Sequence, residues 1–345
     1  MPFVIKKVSV PQFLGLGGLT PVIDVRSPGE YSSGHIPDAV NIPFFDDSQR
    51  TEVGTVYKNE GSIKAVLRGI DLTGPLMSAK LIQGLDFAVQ KSLLLYCWRG
   101  GMRSEAMAWL FSMGEITSVL LEGGYKAYRK YILADLGKKR NLIILGGMTG
   151  SGKTHIIRHM MSAGTQVTDL EALASHKGSA FGALGQAPQP TSEHFANLLY
   201  YDLSRKKDDD LIWLEDESRN IGSVFMPDTF YDRMQEAPVI VLMMSIETRM
   251  TRLLNEYAAF PPEQLTASLM KISKRLGGNK TREALRAINI GDFRTAIKII
   301  LEYYDKSYSY GLSKRREGQI IYIETDTDDV AVNASKVAEA AESLR

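Results

Sequence analysis

A chain of 345 residues with 44% apolar and 23% charged residues exceeds one ordinary core and is too apolar for extended disorder, so two folded domains are expected. A net charge of +1 does not mark a nucleic-acid binder by itself, because affinity for a phosphate backbone needs clustered Lys and Arg. The single cysteine, Cys97, excludes an internal disulfide and a cysteine-rich zinc site, which leaves it either an inert core thiol or a reactive one.

The first ten residues carry two lysines but no apolar run of signal-peptide length, and no later segment approaches the ~20 apolar residues of a membrane span. A cytoplasmic protein without a membrane partner is expected. Residues 21–25 read as a mostly apolar strand, and residues 92–96 as a strand of the kind buried on both faces of a parallel sheet. Helical spacing over 104–113, a strand at 119–121 ending at Gly123-Gly124, and a helix over 125–136 complete a small α/β domain spanning residues 1–136. Gly137-Lys138-Lys139-Arg140 is a polar break suited to a helix end.

A second, larger α/β domain over 137–345 then opens with a strand at 141–145, a glycine loop and a helix from about residue 153 to 163. Further strands are expected at 166–169, 211–214, 239–244 and 320–324, with a helical basic segment at about 246–310. Residues 175–192 read as a long loop leaving the sheet, and long ordered loops in compact domains are usually functional. Asp208-Asp209-Asp210 reads as a solvated turn.

Cys97 follows the apolar run Leu93-Leu94-Leu95-Tyr96 and precedes Trp98-Arg99-Gly100-Gly101-Met102-Arg103-Ser104. A thiol at such a strand-to-helix turn faces backbone N–H groups and the positive end of a helix, which favour the thiolate. Arg99 and Arg103 add positive charge, and the two glycines let the backbone curl round an anionic group. A buried structural cysteine is the bland alternative, but it needs neither the arginines nor the glycines. Cys97, Arg99 and Arg103 are therefore the catalytic candidates.

Upstream, Asp24-Val25-Arg26-Ser27 with Glu30, Gly34-His35-Ile36-Pro37 and Ala39-Val40-Asn41-Ile42-Pro43 resemble the rhodanese family, in which the Asp and Arg brace the loop. Arg103 stands six positions after Cys97, which is also the spacing of cysteine-dependent phosphatases. Sulfur or selenium transfer and phosphoryl transfer are both open on these residues alone.

Gly147-Met148-Thr149-Gly150-Ser151-Gly152-Lys153-Thr154 is a complete phosphate-binding loop placed between a strand and a helix. Its backbone N–H groups, from Gly147 through Thr149, Gly150, Ser151 and Gly152, can wrap phosphate oxygens. Lys153 reaches a terminal phosphate and Thr154 can hold Mg²⁺. Glu215-Asp216-Glu217 follow the strand at 211–214, where an acid would serve a metal or substrate. Which of the three does so is open, and a helix N-terminal acidic cluster is the alternative. No adenine or guanine signature accompanies the loop, so the ligand is a nucleotide or another diphosphate.

Together the residues 34–43, Glu52-Val53-Gly54-Thr55-Val56-Tyr57-Lys58, the Cys97 loop, Glu122-Gly123-Gly124-Tyr125-Lys126-Ala127-Tyr128-Arg129 and the phosphate loop resemble the tRNA 2-selenouridine synthase family. So do His176-Lys177-Gly178-Ser179-Ala180-Phe181-Gly182, Gln189-Pro190 and Glu217-Ser218-Arg219-Asn220-Ile221-Gly222, so the resemblance covers most of the chain. Two departures stand out: Lys177 replaces an expected arginine, losing the planar fork for phosphate, and Glu105 replaces an uncharged residue beside the cysteine loop.

The resemblance implies an N-terminal rhodanese-like domain joined to a C-terminal P-loop NTPase-like α/β domain with a helical segment. It implies a transferase acting on the wobble uridine of tRNA. On that resemblance geranyl diphosphate would alkylate the 2-thio group, and selenium from selenophosphate would then replace the geranylthio group. These are co-substrates, with no certain cofactor and Mg²⁺ an admissible ion. The partners are tRNA and small-molecule phosphates, with room for an enzyme that makes selenophosphate. The competing reading is a rhodanese-fold cysteine phosphatase or sulfurtransferase fused to a P-loop ATPase. Lys274, Arg275, Lys280, Arg282 and Arg286, in a stretch followed by Tyr303, Tyr304, Tyr308 and Tyr310, are candidates for the tRNA surface, against a solvated helix face with tyrosines half in the core.

Overall fold

The structure, a computed structural model, describes residues 5–207, 210–315 and 318–343. Asp208 and Asp209 of the expected acidic turn lie outside the described residues. The chain forms two compact units, Met1–Asp135 and Leu136–Arg345.

The first unit contains β1 (Lys6–Val8), β2 (Val22–Asp24), β3 (Val40–Asn41), β4 (Ser92–Tyr96) and β5 (Thr117–Leu121), in the order β1-β5-β4-β2-β3. All neighbouring strands are parallel. Central β4 carries the unbroken apolar run, and Leu93, Leu94, Leu95 and Tyr96 are fully buried because both faces of the sheet are covered. Ile23, Leu95, Met107, Phe111 and Leu120 meet in its core. Sequence reasoning did not place β1 or the helices Asp47–Glu60, Ser62–Thr73 and Met77–Phe87. The physical reason is their patterning. β1 is three residues long at the sheet edge, Asp47–Glu60 buries no residue, and Ser62–Thr73 leaves Ile63, Leu67 and Ile70 exposed.

The second unit contains β6 (Leu142–Gly147), β7 (Val167–Thr168), β8 (Ile212–Glu215), β9 (Asn220–Ile221), β10 (Val224–Phe225), β11 (Val239–Met244) and β12 (Ile320–Thr325). Five of these form a parallel sheet ordered β12-β11-β6-β8-β7, and β9 and β10 pair antiparallel beside it. β6 lies in the middle, with β8 on one side and β11 on the other, so a crevice opens beyond the carboxyl ends of the strands. The expected strand at 239–244 has those limits, and the others in this unit shift by one or two residues at one or both ends.

Ile143, Leu145, Ile156, Trp213, Leu242 and Val337 form the sheet core. Between β11 and β12 the chain makes five helices, Ile246–Tyr257, Pro262–Met270, Ser273–Leu276, Gly278–Asn289 and Phe293–Leu312. They bury a second apolar cluster that includes Leu269, Ile288, Ile299 and Ile300. Among the described residues, no helix is long and apolar enough to cross a membrane.

Candidate functional site

In the first unit the carboxyl ends of β2, β4 and β5 converge. At the end of β2, Arg26 Nη2 donates to Asp24 Oδ2 at 2.7 Å and to the Gly34 carbonyl at 2.6 Å, with its guanidinium 3.8 Å from the centre of the Tyr125 ring. Burial works against this cation, but the Asp24 hydrogen bond and charge more than offset it and raise its pKa. Arg26 is thus a permanent cation that braces the turn after β2.

Cys97 directly follows β4. Its Sγ is 4% exposed with the rest of the residue, 3.3 Å from Ser104 Oγ and 3.9 Å from the Gly101 carbonyl oxygen, beside the first turn of the helix Met102–Ser112. The turn after β5 supports this loop: the Tyr125 N–H donates to the Cys97 carbonyl at 2.9 Å and the Lys126 N–H to the Trp98 carbonyl at 3.0 Å. Gly124 has φ +60°, and a Cβ there would lie 2.3 Å from the Cys97 carbonyl oxygen, so no larger residue fits.

Arg99 is exposed on the same loop. Arg103 instead reaches Glu30 at 2.7 Å, and Arg50 joins Glu30 at 2.9 Å. Burial alone would raise the Glu30 carboxyl. The Arg103 hydrogen bond and charge outweigh it and hold Glu30 below the ordinary carboxylate value. Ser27 and Glu30 also close a capping box on the helix Pro28–Ser33, so Glu30 connects the rhodanese-like opening to the cysteine loop.

In the second unit, β6 delivers the phosphate loop. Gly152 takes φ +81°, and a Cβ on it would lie 1.7 Å from Arg252 Nη1. Arg252 donates to the Gly150 carbonyl at 3.2 Å and pairs with Asp328. Arg249, buried at 3% exposure, binds Asp305 at 2.7 Å and the Thr149 carbonyl at 3.1 Å. Two arginines of the helix Ile246–Tyr257 therefore hold the loop from outside, and sequence reasoning missed both. Their signal is Arg249-Met250-Thr251-Arg252 directly after a central strand.

Lys153 Nζ donates to the Gly147 carbonyl at 2.7 Å, folding back over the loop. The Gly147 N–H donates to the Tyr308 hydroxyl at 2.7 Å, and that hydroxyl donates to Asp216 Oδ2 at 2.9 Å. The loop borders a cleft of about 1630 Å³. His176, Lys177, Gln189, Glu217 and Arg219, from three separate family-like motifs, line the same cleft. Gln189 pins the loop before the helix Ser192–Ser204 by donating to the carbonyls of Ala174 and Ile221 at 2.9 Å each.

The three acids after β8 have different surroundings. Glu215 is fully buried and accepts the Leu170 N–H at 2.9 Å. Asp216 pairs with Arg315 at 2.8 Å and with Tyr308. Glu217 shares a hydrogen bond with Glu171, which accepts the Thr154 hydroxyl at 2.8 Å. The carboxylate facing Thr154 is thus Glu171, on the short helix Leu170–Ala174, and it was not among the sequence candidates. Among the described residues, no group of three or more His, Cys, Asp and Glu side chains could hold a metal ion. Mg²⁺ usually takes only one or two carboxylates alongside phosphate and hydroxyl oxygens, and Glu171, Glu217 and Thr154 are donors of that kind.

Burial raises the carboxyls of Glu171, Glu215 and Glu217, and for Glu215 and Glu217 the neighbouring carboxylates raise them further. Acids raised in the folded state stabilise it below the ordinary carboxyl value of 4.5, and that contribution is lost as pH climbs through their raised values. Glu217→Gln removes one of the crowded charges. The ligand-free variant is expected to melt at a higher temperature than the parent chain near pH 7, with the two curves converging as pH falls toward 4.5. A variant that melts lower at pH 7 would show that Glu217 is held by attraction instead.

Comparison with known proteins bears on both units. A family model described as the tRNA 2-selenouridine synthase AAA domain matches residues 140–340, and one described as a rhodanese-like domain matches residues 11–131. A protein of Nitrosomonas europaea named tRNA 2-selenouridine synthase is 34% identical, with 86% of this chain and 90% of that one covered. Proteins of the same name from Bordetella petrii and a Sulfurovum strain are 36% and 35% identical, covering 90% and 88% of this chain and 91% of each relative. This chain belongs to the tRNA 2-selenouridine synthase family.

In this member of the tRNA 2-selenouridine synthase family the fold is that expected from the sequence, a rhodanese-like unit followed by a P-loop α/β unit with a helical segment. Lys177, which stands in for an arginine, ion-pairs with Glu256 and lines the cleft. Glu105 pairs with Lys7 at 2.7 Å on the surface, so its charge is met by a lysine of β1.

The basic residues of the helical segment divide into two groups. Arg275 lines the phosphate-loop cleft together with Lys271. Lys274, Arg282 and Arg286 are exposed elsewhere on the helices, Lys280 pairs with Glu302 at 2.6 Å, and Arg282 donates to Asn279 at 2.7 Å. Of the tyrosines, Tyr303 and Tyr304 pack on the helical core, Tyr308 serves the phosphate loop, and Tyr310 is 65% exposed. Only Tyr310 of the four presents most of its surface to solvent.

Proposed function

We propose that this protein is a tRNA 2-selenouridine synthase that works in two steps at the wobble 2-thiouridine of tRNA. The observation that carries the reading is a complete phosphate loop bordering a large cleft in one unit, in a chain whose only thiol directly follows the central strand of a rhodanese-like unit.

In the first step the 2-thio sulfur attacks C1 of geranyl diphosphate, a C–S bond forms, the C–O bond breaks, pyrophosphate leaves with the negative charge, and the N3 proton of the base is lost to solvent. Lys153, the loop amides and Arg252 suit a leaving diphosphate, because preorganised cations and dipoles lower the energy of charge that develops in the transition state. Glu171, Glu217 and Thr154 would hold an accompanying Mg²⁺, which would neutralise phosphate charge. In the second step selenide-level selenium from selenophosphate bonds to C2 as the C2–S bond breaks and geranylthiol leaves, water breaks the P–Se bond to give phosphate, and Cys97 is the thiol available as the soft nucleophile of this step.

The test is reconstitution with 2-thiouridine-containing tRNA, followed by mass analysis of its nucleosides. With geranyl diphosphate alone the S-geranyl nucleoside is expected, and 2-selenouridine is expected after addition of selenophosphate. A folded protein that yields neither product would refute the reading.

The tRNA surface is proposed to include the exposed basic faces of Ser273–Leu276 and Gly278–Asn289. Replacing Lys274, Arg275 and Arg282 by alanine is expected to weaken tRNA binding and to flatten the slope of log affinity against log salt by roughly two to three units if each lost a phosphate contact. Equal affinities with parallel slopes across a salt series would move the surface elsewhere.

A further inference from the structure

Beside the phosphate loop, the helical segment encloses a second cavity with almost entirely hydrocarbon walls. Thr149, Ser179, Leu253, Tyr257 and Tyr304 border both this cavity and the large cleft. Behind that shared rim lie Phe181, Leu265, Ile288, Phe293, Ala296 and Ile300. The free volume is about 50 Å³. At about 10–15 Å³ for each water-sized group, that is room for roughly four.

A void lined by hydrocarbon offers water too few polar partners, so it stays dry and its walls forfeit contacts. Close packing elsewhere in the same cluster, where Leu269 and Ala284 have no exposed surface, shows that these helices can fill their interior. Thr149, itself a residue of the phosphate loop, is part of the wall of this void. A ligand whose diphosphate lay in that loop would thus have an apolar cavity bordering its binding loop.

We propose that this cavity receives the hydrocarbon chain of an isoprenoid diphosphate bound in the phosphate loop, with Ala296 and Phe293 setting how much chain enters. The inference rests on the reading of the loop as a prenyl diphosphate site. In this conformation the cavity takes close to one five-carbon unit, and the remainder of a longer chain lies along the rim of Tyr257 and Tyr304.

The experiment is equilibrium binding of inorganic pyrophosphate and of dimethylallyl, geranyl and farnesyl diphosphates to the full chain, with nucleoside mass analysis of tRNA treated in parallel. Each buried methylene strengthens binding about fourfold, so with roughly four groups buried geranyl diphosphate is expected to bind about 250-fold more tightly than pyrophosphate. Ala296→Leu fills the cavity and is expected to bring geranyl diphosphate to within threefold of pyrophosphate, with pyrophosphate affinity unchanged. Phe293→Ala enlarges the cavity and is expected to shift preference from geranyl toward farnesyl diphosphate. If Ala296→Leu does not melt cooperatively, Phe293→Ala decides alone.

Equal binding of pyrophosphate and geranyl diphosphate to the parent chain overturns the proposal. So does an unchanged order of chain lengths in Phe293→Ala. Undiminished geranylation by a folded Ala296→Leu would remove the cavity from the reaction while leaving the synthase reading intact. Tight binding that depends on Ala296, without any geranylated nucleoside, would do the reverse.

Discussion

Cys97→Ser is expected to abolish formation of 2-selenouridine while leaving the fold and the geranylation step largely intact. In the proposed scheme the alkylation joins the substrate's own sulfur to a carbon and calls on no enzyme thiol, whereas the selenium step calls on a soft nucleophile. Serine supplies a hard oxygen of nearly the same size. The site tolerates it, because the thiol sits 3.3 Å from the Ser104 hydroxyl and 3.9 Å from the Gly101 carbonyl, both able to engage a hydroxyl. The measurement is nucleoside mass analysis with each co-substrate added in turn, alongside a melting curve. Equal loss of both products by a variant that melts normally would end this division of labour.

Lys153→Ala is expected to act on the other step. Removing one preorganised electrostatic group from a charge-developing transition state costs about 2 to 4 kcal/mol, or roughly 30- to 1000-fold in rate. The parent lysine already lies at the loop, donating to the Gly147 carbonyl at 2.7 Å, so it needs only to turn from that oxygen to a phosphate. Geranylation is expected to fall by that factor, while pregeranylated tRNA is still converted to 2-selenouridine. Normal geranylation with loss of a separate nucleotide-dependent reaction would show that the loop holds a nucleotide and that the diphosphate is bound elsewhere.

Much of this arrangement is written locally in the sequence. The apolar run at β4, the glycine loop after β6 and the rhodanese-like opening each combine a short pattern with a strand or turn that the same residues dictate. The parts that escaped are those assembled from a distance. Thr154 meets Glu171 across 17 residues, Gly150 meets Arg252 across 102, and Gly147 meets Tyr308 across 161. Of these partners only Arg252, in the run that follows β11, carries a local signal, and the stacking of β7, β6 and β11 with their following helices brings them together. The same holds for Glu215-Asp216-Glu217. Adjacent in sequence, these residues turn to a backbone amide, an arginine with a tyrosine, and a second carboxylate, a separation that alternating direction along an extended chain produces and that residue type does not reveal.

The hydroxyl of Tyr308 belongs to the helix Phe293–Leu312, and so do Phe293, Ala296, Ile300 and Tyr304 of the apolar cavity wall. Twenty residues of helix make a rod about 30 Å long, and such a rod transmits displacement along its axis with little bending. The first amide of the phosphate loop and the hydrocarbon wall are therefore mounted on one lever. An anion that drew the Gly147 N–H away from Tyr308 would loosen one of the points at which that lever is held, the Arg249–Asp305 pair and the Tyr308–Asp216 bond being others, and a chain that pressed on Ala296 would load the same rod. Whatever energy links the two positions must appear equally in both directions, so the head and tail of a single bound molecule would each sense whether the other is seated.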